Sequence, residues 1–202
     1  DVERNTLKRL IVAITGASGV IYGIRLLETL AQLDYEIHLT ISESGVRTLW
    51  EEMQIQVDLN NFQIASLLQR DCNQIIYHHQ SDISAAIASG SFQTEGMIIV
   101  PCSMGTLGSV ATGISRNLVQ RAADVCIKER RKLVLAVRET PLNTIHLENM
   151  LKLSQTGAVI LPAAPGFYHL PKTLDDQVNF IVTKLLDQFG VSTNLIKRWG
   201  EP

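Results

Sequence analysis

A turn rich in glycine and serine near the start of the chain is the first candidate for chemistry. The apolar run 10–14 leads into a turn containing Gly16, Ser18 and Gly19, and apolar residues at helical spacing begin at Val20. A strand, a tight turn and a helix in this order direct backbone N–H groups and a helix dipole at one spot. The turn is predicted to bind a phosphate group, with the Ser18 hydroxyl as an added donor. The alternative is a plain tight turn with Ser18 as helix cap.

The glycine spacing does not identify the molecule that carries the phosphate. Gly16, Gly19 and Gly23 give G-x-x-G-x-x-x-G, which is neither the dinucleotide fingerprint nor the Walker loop. An NAD site would carry an acidic residue at the end of the second strand, where Ser42 stands, followed by Glu43. NAD stays an alternative. FMN is preferred, because a serine at this place suits a phosphate or a flavin chain.

Further candidate residues follow later strands. The segment 103–106 comes directly after an apolar run, and Arg138 and Glu139 come directly after the run 132–137. In a doubly wound sheet, ligands bind beyond the carboxyl ends of the strands. Small hydroxyls and backbone donors, with one cation and one carboxylate, suit a phosphorylated planar ligand better than a hydrolase substrate.

Two basic residues and a tyrosine are weaker candidates. Arg121 and Lys128 are seven residues apart on one predicted helix face, so both could reach one anion. A charge run at a helix end is by default solvated and stabilises the helix dipole. Tyr168 follows a loop with two prolines and a glycine, which is a rigid shape for presenting a ring.

The elements that must position these residues alternate along the chain. Strands are predicted at 8–15, 35–42, 96–101, 132–137 and 158–161, and helices at 20–33, 44–53, 62–69, 118–130, 145–153 and 174–189. A short apolar segment lies at 75–77. This alternation predicts an α/β fold with a three-layer, doubly wound parallel sheet of the Rossmann-like or flavodoxin-like kind. Without repeats or long linkers, residues 1–202 are expected to form a single flavin-binding domain.

Composition argues against several functions. The chain has 202 residues, of which 46% are hydrophobic and 19% charged, as in an ordinary globular protein. A net charge of −2 argues against a nucleic-acid partner, and no apolar run is long enough to span a membrane. Cys72, Cys102 and Cys126 form no C-x-x-C pair and indicate reduced thiols in a cytoplasmic protein. His78 and His79 are interpreted as ordinary loop residues, and no metal is expected.

Six blocks of sequence together resemble the UbiX-type flavin prenyltransferases. They are ITGASG at 14–19, PCSMGTL at 101–107, RAADVCIKERRKLVL at 121–135, RETPLNTIHLENMLKL at 138–153, GAVILPAAPGFYH at 157–169 and the terminal RWGEP. Any one block could arise by chance, but the ordered set runs from Ile14 to Trp199 and is highly specific.

The resemblance implies an activity and its partners. Members of this family bind FMN, accept dimethylallyl monophosphate, and join the prenyl group to N5 and C6 of the reduced flavin. The prenylated FMN passes to UbiD-type decarboxylases, and the enzymes assemble into homo-oligomers, expected to be dodecamers. Asp175 and Asp176 are followed by Gln177, so the D-D-x-x-D cluster that would bind magnesium is missing. Its absence fits a monophosphate substrate better than a diphosphate.

The resemblance also implies roles for single residues. Flavin contacts are expected at Gly16, Ala17, Ser18, Ser42, Ser103, Met104, Gly105, Thr106 and Arg138. Ligands of the prenyl phosphate are expected at Tyr168 and Lys184, with Lys128 and Arg121 added from a neighbouring subunit. Proton handling is expected at Ser18, Glu52 and Glu139. Some members carry arginine at position 184; lysine also holds phosphate but cannot make the bidentate fork.

Two other functions stay open at this point. An FMN-dependent decarboxylase of aromatic acids or peptidyl cysteines needs a catalytic histidine and substrate-clamping motifs, which the sequence does not reveal. A non-catalytic FMN carrier would flank its flavin with aromatic rings and bear a strongly acidic surface. The chain has 5% aromatic residues and a net charge of −2, so the prenyltransferase is preferred.

Overall fold

Six parallel strands form one sheet at the centre of the fold, which a computed structural model describes for residues 7–200. The strands are β1 (Lys8–Ile14), β2 (Tyr35–Ile41), β3 (Ile75–Tyr77), β4 (Gly96–Cys102), β5 (Lys132–Val137) and β6 (Val159–Ile160). Their order across the sheet is β3-β2-β1-β4-β5-β6. This is the Rossmann order, and it reverses between β1 and β4, where ligands bind in such sheets.

Seven α-helices and one 3₁₀ turn cover the two faces of the sheet. They are α1 (Val20–Leu30), α2 (Glu43–Met53), α3 (Ile64–Leu68), the 3₁₀ turn Ala86–Ala88, α4 (Met104–Ala111), α5 (Leu118–Lys128), α6 (Thr144–Gln155) and α7 (Leu174–Asp187). One hydrophobic core contains residues of α1, α2, α3 and α7, and the other contains residues of α4, α5 and α6. The predicted three-layer, doubly wound parallel sheet is thereby confirmed.

The burial of β1 on both of its faces explains why its sequence is a continuous apolar run. Leu10, Val12 and Ile14 point into one core, and Ile11 and Ala13 point into the other. A strand covered by helices on both faces has no solvent side, so the alternation of polar and apolar residues disappears. The same reasoning applies to β4, in which all seven residues are buried.

Two strands differ from the prediction. The apolar segment at 75–77 is a sixth strand, β3, which pairs with β2 at the sheet edge. β4 does not stop at Pro101 but continues to Cys102. The proline is accommodated because the pairing of β4 with β5 shifts register between Ile99 and Cys102.

Candidate functional site

The turns that follow β1 and β4 are tied together by the side chain of Thr15. Its Oγ1 donates a hydrogen bond of 2.6 Å to the carbonyl of Pro101 and accepts one of 3.0 Å from the amide of Ser103. We call the end of the sheet where these turns lie the carboxyl edge. It brings together the turn 16–19, Ser42, the first turn of α4 and Arg138.

Glycines allow the turns at the carboxyl edge to touch. A Cβ atom on Gly16 would lie 2.4 Å from the Cβ of Ser44, so the turns after β1 and β2 are in direct contact. Gly19 has φ +106°, in the left-handed region that favours glycine, and it precedes the first residue of α1. These two positions account for the glycines of the turn 16–19.

The start of α1 already has an anionic partner. The carboxylate Oε2 of Glu52 accepts hydrogen bonds from the amides of Gly19 (2.9 Å) and Val20 (3.2 Å). Ser18 is exposed and is not the helix cap, because Gly19 occupies that position and makes no side-chain cap. A carboxylate is stabilised at a helix start for the same reason as a phosphate. The amides at this helix start, which are predicted to bind phosphate, therefore bind the carboxylate of Glu52, the residue predicted to handle protons.

Two predicted flavin contacts are also helix caps. Ser42 Oγ accepts a hydrogen bond from the Gly45 amide (3.1 Å) at the start of α2. Ser103 Oγ accepts one from the Thr106 amide (3.2 Å) and donates to the Thr106 hydroxyl (3.0 Å) at the start of α4. The caps hold both helix starts at the carboxyl edge. The first turn of α4 is formed by the predicted contacts Met104, Gly105 and Thr106.

Arg138 directly follows β5 and is the main cation of this edge. Its amide donates to the Cys102 carbonyl at 3.5 Å, which holds the residue beside the end of β4. Its Nε is buried and has no hydrogen-bond partner within residues 7–200. Burial of an unpaired donor is costly, so the position suits a ligand that brings an acceptor. The neighbouring Glu139 is exposed and accepts a hydrogen bond from the Thr140 amide at 3.0 Å.

Tyr22 is a residue of this edge that the sequence analysis does not predict. A Cβ on Gly19 would lie 2.9 Å from the Tyr22 ring, and the Tyr22 phenol is close enough to Arg138 for an electrostatic effect. Burial raises the pKa of the Tyr22 phenol, an effect that the positive charge of Arg138 partly offsets. Tyr22 therefore stays a neutral phenol at physiological pH. Its position in the first turn of α1 is the signal that points to it.

A second set of residues, which includes the predicted Tyr168 and Lys184, lies around the last turns of α7. We call Tyr168, Lys184, Asp187, Arg198 and Trp199 the α7 cluster. The Tyr168 and Trp199 rings meet edge to face at 5.5 Å, and Arg198 makes a two-pronged ion pair with Asp187 at 2.7 and 3.1 Å. Lys184 Nζ lies 3.9 Å from the same carboxylate. These residues line a cleft of about 260 Å³, in which Lys184 offers a positively charged donor to an anionic ligand.

The α7 cluster is not at the carboxyl edge of its own chain. The Phe189 ring, just after α7, lies against Gly96 at the start of β4. The Gln188 carbonyl accepts a hydrogen bond from Lys132, the first residue of β5. Lys184 is one helical turn, about 6 Å, from Gln188. The six residues of β5 span about 20 Å, and Arg138 lies beyond their other end.

Lys128 also lies apart from the carboxyl edge, at the opposite end of α5 from Arg121. Lys128 ends α5, pairs with Glu129, and lies beside Gly90. Because α5 leads into β5, its last residue is at the amino edge of the sheet. Arg121 pairs with Asp124 at 2.8 Å and donates to a backbone carbonyl at 3.2 Å. Both side chains lie along the segment 88–90, which fits the shared helix face; that both reach one anion stays a prediction.

His78 and His79 lie in the loop after β3, as predicted, but His78 also contacts a buried side chain. His78 is more than a loop residue, because its Nε2 is hydrogen-bonded at 2.8 Å to Nδ1 of His38, which is 3% exposed. His38 Nε2 lies 2.9 Å from Glu36, which pairs with Arg9. In the described part of the chain, no group of three His, Cys, Asp or Glu side chains is placed to hold a metal.

Comparison with known proteins assigns the chain to a family. A family model described as Flavoprotein matches residues 2–186. The flavin prenyltransferase UbiX of Halalkalibacterium halodurans is 54% identical over 190 residues, which cover 94% of this chain and 92% of the relative.

Two solved structures are similar over nearly the whole chain. The structure of AnUbiX (PadA1) in complex with FMN and dimethylallyl pyrophosphate has a TM-score of 0.86 at 39% identity and covers 96% of this chain and 98% of that one. A dodecameric FMN-dependent UbiX-like decarboxylase from Escherichia coli O157:H7 has a TM-score of 0.87 at 43% identity, with 96% and 100% covered. The resemblance found in the sequence is confirmed: the chain belongs to the flavin prenyltransferases of the UbiX type, within the Flavoprotein family.

Proposed function

We propose that this protein transfers the dimethylallyl group of dimethylallyl monophosphate to N5 and C6 of reduced FMN. The observation that carries the proposal is the buried Nε of Arg138, which has no partner within residues 7–200 and lies at the carboxyl edge beside the end of β4. A ligand with acceptor atoms at this edge satisfies that nitrogen. The relative AnUbiX, 39% identical, has been described in complex with FMN and dimethylallyl pyrophosphate, which supports the same pair of ligand classes here.

The donors of the carboxyl edge suit FMN. The turn 16–18 offers amides and a hydroxyl, Ser42 and the segment 103–106 offer hydroxyls and a helix start, and Arg138 offers a guanidinium. Helix starts and small hydroxyls bind phosphate, and a guanidinium N–H pairs with a ring acceptor or a phosphate oxygen. When bound and reduced, FMN supplies the nucleophilic ring atoms N5 and C6.

The cationic residues stabilise the leaving phosphate. Breaking the allylic C–O bond transfers negative charge to the phosphate, and preorganised donors lower that barrier. Lys184 and the hydroxyl of Tyr168 supply such donors in the α7 cluster, and Lys128 and Arg121 are further phosphate ligands. Because the allyl carbon must meet the flavin rather than water, the site must also exclude water.

Three residues handle protons. Ring closure requires loss of a proton from carbon, and the exposed carboxylate of Glu139, next to Arg138, accepts it. The Glu52 carboxylate lies at the start of α1 within hydrogen-bond distance of the Gly19 amide, beside Ser18. We assign to Glu52 and Ser18 the movement of protons at that end of the site.

The separation of the cations from Arg138 supports a site completed between subunits. Within one chain Lys184 and Lys128 lie toward the amino edge, so we propose that neighbouring protomers supply them. Such an arrangement requires a homo-oligomer. The UbiX-like protein of Escherichia coli is described as dodecameric, and we propose a dodecamer for this chain.

Three further proposals concern the chain and its product. All described elements belong to one sheet and its two helical layers, which supports one flavin-binding domain over 1–202. The three cysteines are free, which supports the cytoplasm. No helix within residues 7–200 is long and apolar enough to cross a membrane. The product is a modified cofactor, and a UbiD-type decarboxylase is the proposed recipient.

Mass spectrometry of the flavin tests the activity. Reduced FMN and dimethylallyl monophosphate are incubated anaerobically with the protein, and a gain of one five-carbon unit is expected. The gain should vanish in Lys184→Ala and fall sharply in Tyr168→Phe. Unchanged FMN that stays bound would reject the transferase and favour the carrier. Release of carbon dioxide from phenolic acids without a partner protein would favour the decarboxylase.

A further inference from the structure

The regular pairing of β1 with β4 stops before the carboxyl edge. Its last pair is Ala13 with Ile99. Further along β4, Pro101 has no N–H to offer, and the pairing with β5 shifts register before Cys102. Without another link, the two strand ends would be joined only by packing at the place where the ligand binds.

Thr15 supplies that link. It is the first residue after β1 and is 1% exposed. Its amide and its hydroxyl both donate to the Pro101 carbonyl, at 3.3 and 2.6 Å, and its hydroxyl accepts from the Ser103 amide at 3.0 Å. Three hydrogen bonds from one buried residue therefore replace the missing ladder.

The bonds of Thr15 fix two turns relative to each other. On one side, Thr15 is followed by Gly16, whose backbone is packed against Ser44. On the other side, its hydroxyl holds Ser103, the cap of α4. Two of the three hydrogen bonds that set the turn 16–19 relative to the first turn of α4 thus belong to one hydroxyl group.

Other buried threonines of the chain do not behave this way. The hydroxyl oxygens of Thr40 and Thr183 are buried and have no hydrogen-bond partner among the described residues. Thr40 lies on β2 and is paired with Ala13, two residues before Thr15. Thr40 is therefore a matched control for Thr15: it is a buried threonine whose hydroxyl joins no two groups among the described residues.

We propose that Thr15 is a positioning residue of the flavin site, acting through the amide of Ser103 and the carbonyl of Pro101. Only a hydroxyl can donate to one group and accept from another through the same atom, which explains a threonine in place of the isosteric valine. The inference rests on the proposed function, because it assumes that FMN binds at the carboxyl edge. Thr15 itself is buried and need not touch the flavin.

Four variants of the full chain test the role. Thr15→Val removes both side-chain bonds at constant shape, Thr15→Ser keeps them, Thr15→Ala removes them without added bulk, and Thr40→Val is the control. Binding of FMN is measured by flavin fluorescence, the setting of the bound ring by visible circular dichroism, and folding by far-ultraviolet circular dichroism. The dissociation constant should rise on the order of tenfold in Thr15→Val and Thr15→Ala, with a changed flavin spectrum. Thr15→Ser and Thr40→Val should match the original chain.

The outcomes separate this inference from the proposed function. Equal affinity and an unchanged flavin spectrum in Thr15→Val would overturn the role of Thr15 alone. So would a Thr15→Ser variant that folds but binds as weakly as Thr15→Ala. If Thr15→Val fails to fold, the comparison of Thr15→Ser with Thr15→Ala decides. An original chain that binds no FMN would overturn the proposed function instead.

Discussion

Mixing two inactive variants tests whether neighbouring protomers complete the site. Arg138→Ala removes the half-buried cation of the carboxyl edge, and Lys184→Ala removes a cation of the α7 cluster. Each variant alone is expected to lose prenyl transfer. Arg138 lies beyond the far end of β5, about 20 Å from Lys132, whereas Lys184 is about 6 Å from Gln188, which accepts a hydrogen bond from Lys132. Lys184 and Arg138 of one chain are thus about 14 Å apart along the strand direction, so we expect them to serve different sites.

The size of the recovery follows from the geometry. In an oligomer mixed randomly and equally, a site built from two protomers takes its Arg138 from one chain and its Lys184 from another. Both are intact in about one quarter of the sites, so about one quarter of the original activity should return. A site built within one chain would recover nothing, because no chain carries both intact residues.

The assay uses two differently tagged variants expressed together and purified by both tags, so that only mixed oligomers are measured. The readout is flavin mass after anaerobic incubation with dimethylallyl monophosphate. The control pair is Arg138→Ala with Glu139→Ala, two neighbours on one edge that must come from the same chain and should not complement. Mixed oligomers of the first pair that stay inactive would refute the reasoning about the two edges.

Two further predictions concern stability. Gly16→Ala should lower the free energy of unfolding by about 1–3 kcal/mol, since its Cβ would lie 2.4 Å from that of Ser44, and adding Ser44→Gly should restore it in urea titrations. Burial, and then the neighbouring His38, lower the pKa of His78 below its usual value near 6.5, although Asp82 opposes this. The unfolded chain then binds the proton more readily, so stability should fall as the pH drops below about 6.5. The fall in the free energy of unfolding should be shallower in His78→Gln. Parallel curves of that free energy against pH for the two proteins would contradict the prediction.

Local signals account for what the sequence predicts well. The apolar run of β1 acts within one strand, and the structure places it as expected. Ser42 and Ser103 lie at strand ends as predicted, and the structure adds that each caps the helix that follows. β3 is missed because three apolar residues in an irregular region look the same in a loop and in a strand. Its pairing with β2 is a property of the fold and not of the segment.

Long-range contacts account for what is missed. Thr15 is part of the recognised motif, but its partner Pro101 is 86 residues away. Glu52 reaches the start of α1 from the end of α2, 33 residues from Gly19. Periodicity and composition carry no information about contacts over such separations. The sequence therefore shows that Thr15 and Glu52 are polar, but it does not show which groups they bind.

The position of Lys128, in contrast, follows from topology. A helix that crosses between parallel strands runs antiparallel to them, so residues late in the helix lie at the amino edge. Lys128 is four residues before β5 and must lie there, whichever face it shares with Arg121. The ligand, however, binds at the carboxyl edge of a doubly wound sheet. A crossover helix can therefore bring a cation near its end to a ligand only in another protomer, which makes assembly a condition of the proposed chemistry.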